Sequence, residues 1–360
     1  MASTQDTMSS KDHFVSSPDW SSFAIKNNIP LPSNSTPGAL DKIKPIQLDY
    51  KANRVRQLAE HAQWRADHPL SSVGYASHEV SVTARDGHAL SIKISYPHAA
   101  RLANAPKKPL PVLFVTFGGG WIQGTHTTEE CWLLWPLYPS FDVVIVSVNY
   151  RVGPENEAPI WVEDSWDVLQ KLFSGTESAF RLEGLEMDLG RVILAGSSAG
   201  AGISAALSQR CRDEKLPLFG VVLNVPVLCD YRHFEKAEAE AGVSVRSYES
   251  GTEAILPSGA MMWIWNTLYP SPENSRNPTA SPLLGSVEGL PRHLIFAAGQ
   301  DALYDEAIAY ATKLRNTRVK VHVEIYEGVP HIFAEFWELE ATKRFWGDIR
   351  KNLEQWFGEA

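Results

Sequence analysis

Cysteine is scarce in this sequence: Cys131, Cys211 and Cys229 are its three in 360 residues. Odd in number, widely spaced and without a CxxC pair, they speak against a disulfide framework or a zinc knuckle, and buried free thiols are expected. Basic charge is short as well. Lys and Arg number 33 against 42 Asp and Glu, a net charge of -9, and no run of basic residues offers the face that a phosphate backbone needs. That argues against nucleic acid and leaves a small molecule as the expected partner. The stretch MASTQDTMSSKDHFVSSPDW has no apolar core of signal-peptide length, and no later run approaches a membrane span. A reducing, cytoplasmic setting is expected from these absences. Internal repeats and low-complexity tracts are missing too.

What is present is a succession of short strand-like runs. HEVSVTA and ALSIKISYP flank Asp86-Gly87, a hairpin signal, and should pair antiparallel. PVLFVTF, VVIVSVNY, RVILAG, FGVVLNVPV, HLIFAAG and VKVHVEIY are apolar or β-branched and mostly separated by helix-like stretches. This predicts an α/β fold with an eight-stranded, mostly parallel sheet, two strands antiparallel and six parallel, covered by helices on both faces. Residues 1–45, rich in Ser, Pro and Asn, read as an arm, and 46–68 space their apolar residues as a helix does. The interval 230–282 is too long for an ordinary loop and reads as an insertion. The expected organisation is therefore an N-terminal arm and cap segment over 1–75, a core over 76–229 and 283–360, and a cap or lid over 230–282.

The stretch RVILAGSSAGAGISAAL, Arg191 to Leu207, holds two motifs at once. Gly196, Gly200 and Gly202 could open a helix as a dinucleotide-binding turn, or Gly196-Ser197-Ser198-Ala199-Gly200 could be the G-x-S-x-G turn that presents a nucleophilic serine. A dinucleotide turn normally follows the first strand of its unit, and four strand candidates precede Gly196. The serine reading demands a strand before, a helix after, and then an acid and a histidine in that chain order. All are present.

HLIFAAGQDALYDEA puts Asp301 just past a strand, with Asp305 and Glu306 as rivals, the former better read as a charge at a helix start. VEIYEGVPHIFAEF puts His331 after the last strand, completing the order Ser198, Asp301, His331. Serine attack on a carbonyl also needs backbone donors for the oxyanion. Gly118 and Gly119 in VLFVTFGGGWIQG, with the Ala199 N–H next to the nucleophile, are the expected set. Gly120, Phe117, Trp121 and Trp263 lie in segments expected to touch substrate.

These segments resemble the hormone-sensitive-lipase-like branch of the α/β-hydrolases, the esterases with an HGGG-type oxyanion loop. The matches run in order: FGGGWIQG, VNYRVGPENEAP, GSSAG, NPTASPLLG, GQDALYDEA and VPHIF. The resemblance implies the α/β-hydrolase fold, a helical cap and a lid inserted after the sixth strand. Two positions depart from it. Phe117 stands where the family has His ahead of the glycines, so the bracing of the loop must come from elsewhere, and Ser197 stands where the family usually has Asp. Tyr150, Arg151, Glu155 and Asp164 match the family's core signature and are expected to form an ion-pair and hydrogen-bond network behind the site.

The function this implies is cleavage of a carboxylic ester or lactone of a fairly apolar small molecule through an acyl-serine, with no metal and no organic cofactor. Tryptophans 121, 132, 135, 263 and 265 either favour a bulky apolar ester or simply pack the lid. The chain is also similar to fungal hydrolases of secondary-metabolite pathways, which keeps acyl transfer, acyl release or cyclisation open. A receptor-like ligand binder on the same fold is a third reading, against which His331 stands. The sequence says nothing of oligomeric state.

Overall fold

The computed structural model of the chain describes residues 14–31, 38–103, 108–250 and 254–359. Parts of the expected arm (1–13 and 32–37) and of the expected lid (251–253) fall outside the described residues.

Eight strands form one sheet: β1 (Tyr75–Thr83), β2 (Ala89–Pro97), β3 (Leu110–Thr116), β4 (Val144–Asn149), β5 (Met187–Ser197), β6 (Gly220–Asn224), β7 (Arg292–Gln300) and β8 (Val321–Pro330). Their order across the sheet is β1-β2-β4-β3-β5-β6-β7-β8. β2 pairs antiparallel with both β1 and β4, and every other pairing from β4 to β8 is parallel. The sheet is thus the mostly parallel one expected, with one adjustment. Because β2 is the strand that docks on β4, β1 at the edge runs with the majority, and β2 alone opposes the other seven.

The central strands β3, β4, β6 and β7 read as nearly continuous apolar runs because both faces are covered. In β3, Val112 and Phe114 enter one core, while Leu113 and Val115 enter the other. The first core is closed by α3 (Ile160–Ser174), α4 (Ala199–Asp213) and α7 (Tyr304–Asn316), through Trp166, Leu207 and Tyr310 among others. The second is closed by α8 (Glu340–Gly358), with Phe345, Ile349, Leu353 and Trp356 along its apolar stripe, and by α1 (Pro18–Lys26) through Trp20. The three cysteines are free and buried, and burial pushes the Cys211 thiol up to about 12.

Two segments outside the sheet matter for the site. α1 rests on the C-terminal ends of β7 and β8: Trp20 stacks on Phe336, Ser17 N–H donates to Gly328 O at 2.9 Å, and Ser16 Oγ donates to Gln300 Oε1 at 3.1 Å. α2 (Tyr50–Asp67), capped by Asp49, lies instead over the loops at the strand ends. From 230 to 282 the chain carries α5 (Phe234–Ala241) and α6 (Ser258–Leu268), and Ile46 N–H donates to Gly259 O at 2.8 Å, joining the α2 segment to α6.

Buried histidines make the fold sensitive to acid. Burial lowers His293 to about 4, with its Nδ1 against Pro291 O at 2.9 Å. The unfolded chain takes up a proton there near 6.5 that the folded chain refuses until about 4, so this histidine's contribution falls as pH falls through that window. His293→Asn, which keeps a donor toward Pro291, is expected to flatten the loss of stability between pH 6.5 and 4.5 by about 2 kcal/mol relative to wild type. Urea unfolding at the two pH values measures this; parallel losses in the two proteins would contradict it.

Candidate active site

β5 ends at Ser197 and α4 begins at Ala199, so Ser198 makes the turn alone, at φ 52° and ψ -122°. A residue with a side chain is strained in that region and persists only where its surroundings hold it. Here Ser198 N–H donates to Asn224 O at 2.8 Å, and Ser198 O accepts from the N–H groups of Gly202 (3.0 Å) and Val227 (3.2 Å). The turn also lies hard against the end of β3. A Cβ on Gly200 would overlap the carbonyl oxygens of Thr116 and Phe117, so only glycine lets the elbow and the loop after β3 approach this closely. Thr116 Oγ1 donates to Gly200 O at 2.7 Å across the same contact.

The ends of β7 and β8 are brought side by side by the pairing of Gln300 with Pro330. The next residue on each strand is therefore Asp301 and His331. His331 Nδ1 lies 2.6 Å from Asp301 Oδ2, and His331 Nε2 lies 3.0 Å from Ser198 Oγ. All three side chains are buried. Asp301 Oδ1 accepts from Leu303 N–H at 3.0 Å, which fixes the carboxylate's second oxygen. The rival acids point elsewhere: Asp305 accepts from Arg246 N–H, and Glu306 accepts from the N–H groups of Leu228 and Cys229.

The expected donor set needs one correction. Gly118 N–H donates to Glu129 Oε1 at 2.8 Å and is not free for an oxyanion. The N–H groups of Gly119, Gly120 and Ala199 have no acceptor among the described residues. Gly119 sits at φ 122°, which a residue with a Cβ rarely adopts, so the glycine run is required by the path of the loop itself.

A cleft of about 270 Å³ opens on Ser198 and His331. One wall is apolar, with Leu256, Met261 and Ile264 from the α6 segment; the other carries Asn53, Gln57 and Glu335. Gly120 lines the cleft, but Phe117, Trp121 and Trp263 do not. Phe117 is stacked on Tyr150 with centroids 3.9 Å apart. Trp121 is packed between Trp161 and Trp265, and Trp263 lies against Tyr50. These three rings were expected at the substrate because their segments adjoin the site; their side chains turn into packing layers behind it. Trp132 is the tryptophan that lines the cleft.

Behind the site, Arg151 binds Asp164 through two nitrogens at 2.9 and 2.6 Å, and Tyr150 OH donates to Phe117 O at 2.5 Å. Glu155 is not part of that network. It is half-exposed and pairs with Arg54 of α2, whose guanidinium also donates to Ile122 O and Gly153 O, each at 2.5 Å. Arg54 thus ties the covering helix to the loop that carries the glycines. Neither Arg54 nor Glu129 stood out in the sequence. For Glu129 the signal was a carboxylate in TTEECWLLW, next to a run of apolar and aromatic residues. It is fully buried; burial pushes its carboxyl up to about 7, against the hydrogen bonds from Ser197 and Gly118.

Among the described residues no group of three or more His, Cys, Asp or Glu is placed to hold a metal, and no helix is long and apolar enough to cross a membrane. Residues 113–335 match the family described as having the alpha/beta hydrolase fold. An AB hydrolase superfamily protein of Schizosaccharomyces pombe is 32% identical over 245 residues, covering 66% of this chain and 67% of the relative. The ethyl acetate hydrolase of Pseudomonas putida is 27% identical, covering 71% of this chain and 74% of that one. The crystal structure of vibralactone cyclase superposes with a TM-score of 0.79 at 21% identity, covering 100% and 99% of the two chains, a likeness of fold. With its sheet order, its serine turn and this match over most of its length, the chain belongs to the α/β-hydrolase fold family.

Proposed function

We propose that this chain is a serine hydrolase of carboxylic esters or lactones. The observation that carries the reading is the unbroken line from Asp301 Oδ2 through His331 to Ser198 Oγ, beside three backbone N–H groups without an acceptor among the described residues. His331 Nε2 takes the Ser198 proton as Oγ attacks the ester carbonyl, and Asp301 holds the Nδ1–H tautomer and stabilises the imidazolium. The N–H groups of Gly119, Gly120 and Ala199 receive the oxyanion. His331 then protonates the departing alkoxide, leaving an acyl-Ser198, and the same groups pass a water through the second half of the cycle.

The cleft supports a substrate of mixed character rather than a wholly apolar one. An apolar group fits the wall of Leu256, Met261 and Ile264, and a polar group faces Asn53, Gln57 and Glu335. Relatives whose names state an activity, such as the ethyl acetate hydrolase and an esterase of Fusarium pseudograminearum, act on esters, in keeping with this reading.

A p-nitrophenyl ester series of increasing acyl length tests it. The wild type is expected to turn over short and medium esters, and a fluorophosphonate to label Ser198. Ser198→Ala should lose at least about 10³-fold in kcat, and Asp301→Asn roughly 10⁴-fold through the wrong histidine tautomer. Turnover that survives Ser198→Ala, or label on another residue, would overturn the assignment.

A further inference from the structure

Glu129 is a buried carboxylate beside the serine turn that the catalytic sequence of Ser198, His331 and Asp301 does not use. It lies at the end of a short helical turn, His126–Glu129, and is 0% exposed. Its two oxygens are divided between the two halves of the site. Oε1 accepts from Gly118 N–H of the loop after β3 at 2.8 Å, and Oε2 accepts from Ser197 Oγ of the elbow at 2.8 Å. Ser197 Oγ accepts in turn from Asn224 Nδ2 at 3.0 Å, and Asn224 O holds the Ser198 N–H. A hydrogen-bonded line therefore runs from Gly118 to Ser198 through Glu129, Ser197 and Asn224.

A carboxylate in this place is costly. Among the described residues Glu129 forms no ion pair, whereas its neighbour Glu130, equally buried, pairs with Arg65 and Lys93. A buried carboxyl without a counter-ion is destabilising relative to an apolar side chain of the same size, so stability does not account for it. Its position does: Phe117 offers the loop no polar side chain, and Glu129 reaches both the Gly118 N–H of the loop and the Ser197 hydroxyl of the elbow from a third element.

We infer that Glu129 is a positioning residue for the hydrolysis proposed above, on which this inference rests: by bridging Gly118 N–H and Ser197 Oγ it sets the distance between the nucleophile and the oxyanion donors. It touches neither substrate nor reacting atoms. With Gly118 N–H turned onto Glu129, the loop presents the next two N–H groups to the cleft, and the serine turn cannot slide along the loop without breaking the bridge.

Three variants test this against the wild type on a p-nitrophenyl ester that the wild type turns over. Glu129→Leu fills the space without hydrogen bonds, Glu129→Gln keeps an acceptor for Gly118, and Ser197→Ala removes the elbow half of the bridge. Each is read by kcat, KM, thermal midpoint and affinity for a trifluoromethyl ketone, whose hemiketal oxyanion occupies the donor site. Glu129→Leu is expected to lose roughly 10- to 100-fold in kcat with KM within about twofold, and to bind the ketone weaker by a similar factor. Glu129→Gln should stay within about threefold of wild type in kcat, because the bridge is remade.

A purely structural role would move the thermal midpoint and leave kcat and ketone affinity alone, and that result in Glu129→Leu overturns the inference. So does a Gln variant as slow as the Leu variant. Should Glu129→Leu not fold, Ser197→Ala decides: reduced kcat and ketone affinity at unchanged KM support the bridge, and wild-type values for both overturn it. Absence of turnover by the wild type, or full activity in Ser198→Ala, strikes the hydrolase reading itself and this inference with it; a working wild type with indifferent Glu129 variants strikes this inference alone.

Discussion

The contact on which the site depends is the close approach of two backbones, the turn at Ser198 and the loop after β3. β3 and β5 are neighbours in the sheet, so both segments leave the same edge side by side. Gly200 lets the first turn of α4 sit against Thr116 O and Phe117 O, where a Cβ would not fit. That proximity brings the turn that carries Ala199 alongside the loop that carries Gly119 and Gly120, the donor set proposed above, although Thr116 and Gly200 at the contact are 84 residues apart in sequence. The pairing of Gln300 with Pro330 does the corresponding work on the other side, setting Asp301 beside His331. The site is thus assembled from the ends of four parallel strands, β3, β5, β7 and β8. The rest of the molecule keeps those ends in register and covered.

Much of this was legible because strand ends are legible. An apolar run followed by glycine, or by a lone polar residue, marks where a parallel strand reaches its carboxyl edge, and Ser198, Asp301 and His331 all sit within a residue or two of such a point. The direction of individual N–H groups and side chains was not legible. Gly118 belongs to the glycine run, yet its N–H turns onto Glu129, a partner 11 positions on that only the folded chain reveals. Trp121 follows the same run, but at φ 58° its ring packs between Trp161 and Trp265 instead of facing the cleft. Glu155 belongs to the same family signature as Arg151 and Asp164, yet its partner, Arg54, is 101 residues away. Spacing identifies which residues meet at an edge, while which way each one points is decided by packing against segments far along the chain.

The covering segments shape the cleft more than the core does. α2 is a weakly apolar helix with a single buried residue, His61, and the side chains it sends into the cleft, Asn53, Arg56, Gln57 and Glu60, are polar. It is held over the site by Arg54 and by Ile46 against Gly259 rather than by a large apolar stripe. α1 takes another place, bracing the ends of β7 and β8 behind Asp301 and His331. The N-terminal region therefore has two roles in its described parts, one supporting the strand ends that carry Asp301 and His331 and the other lining the cleft.

The most direct test of the account is the crystal structure of the chain inactivated by a p-nitrophenyl alkylphosphonate, whose phosphoryl oxygen stands in for the oxyanion. The account predicts phosphorus on Ser198 Oγ, with the phosphoryl oxygen about 3 Å from the N–H groups of Gly119, Gly120 and Ala199 and with Gly118 N–H still on Glu129. A phosphoryl oxygen bound by Gly118 N–H, or directed away from the glycine loop, would contradict it.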